Sequence, residues 1–153
     1  MSNLRERFTA DLKEAMKAGE KGKVSTIRLI TSALKDKDIE ARGLGKPETM
    51  PDEILALLQK MIKQRQESIA IYDANGRPEL AAGERAEVEV IASYMPKQMS
   101  EDEVKAAIAA AVTESGAESV KDMGKVIAIL RAHYAGQMDF GKASGLVKAA
   151  LSG

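Results

Sequence analysis

The chain has 153 residues, which allows one ordinary domain or two small ones, and its 23 Lys plus Arg balance 23 Asp plus Glu, so no global basic field announces nucleic-acid binding. The balance is local as well, with 16 residues of each sign in 1–96 and seven of each in 97–153; any basic patch must be made by folding. With no Cys, no Trp and two Phe, disulfides and thiolate metal sites are excluded and stacking platforms for unpaired bases are nearly absent.

Residues Met1 to Phe8 lack the apolar core of a signal peptide, and nowhere do about eighteen apolar residues run together. A soluble cytoplasmic protein without membrane contact is expected. The first helix runs from about Asn3 to Ala18, with Leu4, Phe8, Leu12, Ala15 and Met16 on one face, and Gly19 and Gly22 end it. A second, about Val24 to Arg42, turns Ile27, Ile30, Leu34 and Ile39 inward and Arg28, Lys35, Lys37, Asp38 and Arg42 outward. Gly43, Gly45 and Pro47 make a loop. Met50-Pro51-Asp52-Glu53 opens the third and longest helix, since Pro suits a first turn and acids suit the positive end of the dipole. Ile54, Leu58, Met61, Ile62, Ile69 and Tyr72 keep its period. Asn75-Gly76 closes it, and Pro78 starts a fourth with Leu80, Val88, Ile91 and Met95 inward. Glu87 to Ile91 alternates like a strand, but five residues with no second strand make no sheet.

Tyr94-Met95-Pro96-Lys97-Gln98-Met99-Ser100 is where the chain divides. Pro96 biases Met95 away from helical geometry, so the fourth helix stops by Tyr94. Ser100 and Glu103 then form a capping box that starts a fifth. Two units follow from this reading, 1–96 and 97–153; the alternative is a corner inside one compact bundle. In the second unit, a helix from Ser100 to Ser115 buries Val104, Ile108, Ala111 and Val112. Another starts at Val120 or Lys121, ends at Tyr134 and buries Met123, Val126, Ile127 and Leu130. Asp139 caps a last helix packed through Leu146, Val147, Ala150 and Leu151. Gly141 and Gly145 near its start suggest close approach of a backbone or ligand, or a weak helix end. The fold class is all-α: a four-helix unit followed by a smaller three-helix unit.

Chemistry-bearing signatures are scarce. No HExxH, GK[ST] phosphate loop, GxSxG or GxGxxG occurs, and His133, the single histidine, has no identifiable nucleophile or orienting carboxylate. Glu101-Asp102-Glu103 is explained by the helix dipole. No catalytic residue, metal site or cofactor is expected. Two charges do not fit a solvated face: Arg65 lies between Met61 and Ile69, and Glu84 between Leu80 and Val88. The turn at Asn75-Gly76 sets the third and fourth helices antiparallel, which predicts an Arg65–Glu84 ion pair acting as a registry device. Among the bases, Arg28, Lys35 and Arg42 recur at sevenfold spacing, and Lys60, Lys63 and Arg77 lie on or just beyond the third helix. Toward the end of the chain Lys121, Lys125, Arg131, Lys142 and Lys148 face only two Asp, beside two glycine-bearing helix starts that can admit a phosphate. These five are the candidate nucleic-acid-binding residues.

A resemblance then emerges. Asp11 to Gly19, Ser25-Thr26-Ile27-Arg28-Leu29, Lys63 to Ile69 with Tyr72, Gly76-Arg77, Tyr94 to Ser100 and Asp122-Met123-Gly124-Lys125-Val126 occur in order over essentially the whole chain, and together they resemble the YqeY family. Its C-terminal part is similar to the tail domain of the GatB subunit of tRNA-dependent amidotransferase, and related units are appended to some glutaminyl-tRNA synthetases. The resemblance implies a helical module that contacts tRNA, with a synthetase or amidotransferase as possible partner. The family's grouping implies an alternative, a carbon–nitrogen ligase with glutamine as amido donor or a subunit of one; no nucleotide or amidase motif accompanies it. A third reading is a protein-interaction adaptor docking through the region of Met95 and Met99. Asp122, Met123, Gly124, Lys125 and the segment at Asp139 match the tail's motif. Gln137 stands where the family usually has a basic residue after the glycine, and Gly145 replaces a bulkier, often polar position.

Overall fold

The computed structural model describes residues 3–152. Among them there are seven α-helices and no strand. The fold is all-α. The chain folds as two compact units, Met1–Met95 and Pro96–Gly153.

In the first unit, α1 spans Leu4–Ala18, α2 Lys21–Gly43, α3 Pro51–Ala74 and α4 Pro78–Ala92. Asn3 caps α1 by accepting from the N–H of Glu6 at 2.8 Å, which satisfies one of the orphan donors of a helix start. Gly19, at φ +72°, reverses the chain and returns its N–H to the carbonyls of Ala15 and Met16, a left-handed cap that a side chain would strain. Only Glu20 then intervenes before α2. The second helix therefore begins three residues earlier than its apolar period indicates, and Gly22, expected to end the first helix, lies inside the first turn of α2. The reason is that capping satisfied the end of α1 at Gly19 alone.

The core gathers Phe8 from α1, Ile27, Ile30 and Leu34 from α2, Ile54, Leu58 and Met61 from α3, and Ile91 with Tyr94 at the end of α4. Inward expectations fail at Met16, Ile39, Leu80, Leu146 and Ala150. Ile39 is 57% exposed and Leu80 is 44% exposed, while Ala81 beside it is fully buried. One residue is about 100° of helix rotation, and a methyl group at the contact lets α4 approach its neighbour where a Leu would hold it off. In the second unit Leu146 is likewise 40% exposed, with Ala143 buried in its stead beside the expected Val147, and Ala150 is exposed.

Arg65 is tied across the α3–α4 hairpin, but to a different first partner from the one expected. Its Nε donates to Glu87 at 2.8 Å and stands 4.0 Å from Glu84, and its Nη1 donates to the Met61 carbonyl at 3.1 Å. The pairing with Glu84 exists as the longer arm. Sequence register cannot separate two acids three residues apart on one helix, because both project to the same side. Both acids are about a quarter to a third exposed, so they rehydrate when the guanidinium is lost. Arg65→Ala is expected to cost about 2 kcal/mol, read as a lower urea midpoint, with Glu87→Ala costing more than Glu84→Ala.

The second unit holds α5 (Glu101–Ser115), a short 3-10 turn (Val120–Asp122), α6 (Met123–Tyr134) and α7 (Phe140–Ser152). The capping box forms as expected: Glu103 N–H donates to Ser100 Oγ at 3.2 Å, and Ser100 N–H to Glu103 Oε1 at 3.1 Å. The connector belongs to this unit. Gln98 donates to the Gly136 carbonyl at 2.7 Å, and Met99 N–H to that of Gln137 at 2.9 Å. Ile108, Ala111, Val126, Leu130, Met138 and Val147 fill the core.

Candidate nucleic-acid interface

The last two helices are unusual in their charge. Between them α6 and α7 carry Lys125, Arg131, Lys142 and Lys148, and no acidic residue. The two Asp of this region lie just outside the α-helices and serve the backbone. Asp139 Oδ1 accepts from the N–H groups of Gly141 at 2.8 Å and Lys142 at 3.3 Å, the expected cap on α7. Asp122 accepts from Glu118 N–H at 3.0 Å. That N–H holds its carboxyl below the usual carboxylate range, so it stays anionic beside Lys125, whose Nζ lies 3.8 Å away.

The five predicted cations occupy three kinds of position. Lys121 sits in the 3-10 turn, exposed. Lys125 projects from the first turn of α6 with its side chain 69% exposed. Arg131, on the last turn of α6, lies 5.2 Å from the ring centroid of Phe140, a cation–π contact that fixes the guanidinium beside the start of α7. Lys142 and Lys148 are exposed on α7. The six residues that separate Lys125 from Arg131, and Lys142 from Lys148, turn each pair about 120° apart around its helix. They therefore do not form a single file.

Packing of α5 against α7 brings Lys142 to a groove of about 620 Å³, whose walls also hold Gln98, Met99, Lys105, Asp139 and Leu146. Lys105 has no sequence signal of its own, because only the α5–α7 contact sets it beside Lys142. Glu101 and Asp139 line the same groove and balance its two lysines, as Asp122 balances Lys125. Gly141, expected to admit a backbone or ligand, meets the Asp139 carboxylate instead: an added Cβ would lie 3.1 Å from Oδ1. Around Gly145 there is open space. His133 is exposed beside Tyr134. Among the described residues no group of three His, Asp or Glu is placed to hold a metal ion, and no helix is long and apolar enough to cross a membrane.

The fold and these side chains define an all-α helical protein in two compact units, with a cationic, acid-free pair of helices near its C-terminus. The chain belongs to the YqeY family: it matches the family described as Yqey-like protein over residues 5–151. Among curated relatives, the protein named Altered inheritance of mitochondria protein 41, mitochondrial, of Saccharomyces cerevisiae is 38% identical over 85 residues, 56% of this chain and 44% of that protein. Its namesake in Lachancea thermotolerans is 35% identical over 106 residues, 68% of this chain and 55% of that protein. The chain thus spans about half the length of the curated relatives it matches.

Proposed function

We propose that the chain is a non-catalytic tRNA-binding accessory module, that its two units are separate domains divided near residue 96, and that α6 and α7 form the tRNA contact. The observation that carries the reading is the charge of those helices: four Lys or Arg and no acid, in a chain whose net charge is zero. A neutral protein has no long-range pull on a polyanion, so binding must come from a local patch that replaces condensed counterions. The exposed Lys125, Lys142, Lys148 and Lys121 supply phosphate contacts, and Arg131 is held in place by Phe140. With no aromatic platform in this unit beyond Phe140 and Tyr134, the contact reads backbone and shape, not unpaired bases. A synthetase or amidotransferase is the proposed recipient of the tRNA, and the cytoplasm the proposed compartment; the yeast relatives carry the word mitochondrial in their names, and imaging of a tagged chain in its own cell decides the matter.

The test is fluorescence anisotropy with total tRNA at about 50 and 200 mM salt. Lys125→Glu with Lys142→Glu is expected to weaken binding about tenfold at the lower salt and to reduce the log–log salt slope by about 2. Unchanged affinity and slope in the folded variant would overturn the reading.

A further inference from the structure

The earlier start of α2 changes what its surface is. Arg28, Lys35 and Arg42 already recur at sevenfold spacing, and beginning the helix at Lys21 adds a fourth cation in the same register. Seven residues rise about 10.5 Å and return to within about 20° of the same face, so the four form a nearly straight row of about 32 Å. All four are exposed, and none makes an ion pair or side-chain hydrogen bond among the described residues. Ser25 and Ser32, also exposed, fall between them at the i+4 positions and add hydroxyl donors to the same ridge.

Exposed Glu20 precedes the row at Lys21, and acids are few along the rest of it. Asp38 is the acid of this face, and it is committed: both carboxylate oxygens accept from Arg5, at 2.9 and 2.8 Å, and Oδ1 also accepts from Thr49 N–H at 2.9 Å. Asp36 and Glu40 lie about 100° and 140° around the helix from Lys35. Of the two shallow grooves that flank the row, one holds this same Asp38 with Arg5 and Thr9, and the other, beside Met16, is lined without an acid. The compensating charge is elsewhere in the unit, since α4 carries four Glu against one Arg. Folding has separated what the sequence balances.

We infer that this ridge of α2 is a second RNA-binding surface, one that follows the phosphate backbone of a duplex stem, separate from the α6–α7 patch. A rigid straight row suits a rigid strand of phosphates. No exposed aromatic accompanies it, which removes base stacking and leaves the phosphate and 2′-hydroxyl contacts by which duplex RNA is held. The exposed apolar residues nearby are Met16, Leu29 and Ile39; Ile39 takes the i+4 position after Lys35, and a single apolar side chain on the ridge makes no seam for a partner helix.

The experiment uses the full chain and a fluorescein-labelled RNA duplex of about 16 base pairs, titrated at two salt concentrations. Arg28→Gln with Lys35→Gln is compared with Lys23→Gln with Lys37→Gln, an equal charge change on the same helix turned about 200° away. The first pair is expected to weaken duplex binding about tenfold and to lower the salt slope by about 2, and the second to change neither appreciably. Circular dichroism melting verifies that both are folded. Equal effects of the two pairs, or no effect of either, would overturn the inference, as would a wild-type chain that does not bind the duplex at low salt. So would binding to phosphatidylserine vesicles that falls with the first pair while duplex binding does not. Lys125→Glu with Lys142→Glu, measured on the same duplex, keeps the two surfaces apart: the α2 effect persists in that background whether or not the α6–α7 reading survives.

Discussion

Phe8→Ala is expected to destabilise the Met1–Met95 unit by about 3–5 kcal/mol, a large share of the roughly 5–15 kcal/mol that holds a domain together. Phe8 is 1% exposed and is one of only two Phe in the chain. Its ring meets Tyr94 edge to face, with centroids 4.8 Å apart and planes at 78°, an arrangement that adds about 0.5–1.5 kcal/mol beyond area burial. Tyr94 cannot follow a shrinking neighbour inward, because its hydroxyl donates to Asp11 at 2.6 Å and Arg7 lies 4.9 Å from the centroid of its ring. The site therefore relaxes poorly and a cavity remains, which is the costly case for a large-to-small change. Burial and the nearby Asp11 also push the Tyr94 phenol well above its usual range, so the hydroxyl stays a donor throughout neutral pH. Urea unfolding followed by far-UV circular dichroism measures the loss. A change under about 1 kcal/mol would mean that the core closes over the gap.

Asp38→Ala should cost about 2–4 kcal/mol at neutral pH. The carboxylate joins three pieces of chain: Arg5 of α1, its own helix α2, and Thr49 just before α3. Arg5 further donates to the Thr49 carbonyl at 3.1 Å and lies 3.7 Å from Glu48, so the loop between α2 and α3 hangs on this one cluster. Side-chain exposures of 16% for Asp38 and 30% for Arg5 leave Arg5 able to reach water, which keeps the cost below that of a fully buried pair. The hydrogen bond from Arg5, ahead of that from the Thr49 N–H, holds the Asp38 carboxyl far below the usual carboxylate range. A carboxyl whose folded value is depressed stabilises the fold above its unfolded value of about 3.9, and the contribution fades as pH falls below that toward the folded value. The gap in stability between wild type and Asp38→Ala is thus expected to be flat from pH 7 to about 5 and to narrow below about pH 4. A gap that is independent of pH down to pH 2 would show that shape, and not charge, holds the loop.

Local and long-range contacts differ in how far a sequence announces them. The Ser100–Glu103 box and the Asp139 cap are legible because both partners lie within a few residues and the geometry follows from the helix itself. The period of α2 puts Asp38 on an outer face, although Arg5, 33 residues away, holds it at its side; no local pattern announces such a partner. Arg65 shows the intermediate case. Its place on an apolar stripe identifies it as paired, while the choice between Glu84 and Glu87 depends on the relative rotation of α3 and α4. Leu80 and Ala81 depend on the same rotation, and there the hydrophobicity of Leu misleads.

For the candidate interface the division is similar. The cations from Lys121 to Lys148 can be named from composition, and Arg28, Lys35 and Arg42 from their spacing. Lys105 cannot, since it reaches Lys142 only through the packing of α5 on α7. Lys21 joins its row only when the cap at Gly19 sets where α2 begins.

By itself the sequence determined the all-α class, most helix ends, the capping residues and the family, because these follow from periodicity, local hydrogen bonding and motifs in order. Tertiary structure alone decided which face of α4 is buried, which acid Arg65 meets, and where an electrically neutral chain becomes positive. The reason is common to all three: helix rotation and long-range pairing are set by how side chains of distant segments fit together, and that fit has no period along the chain.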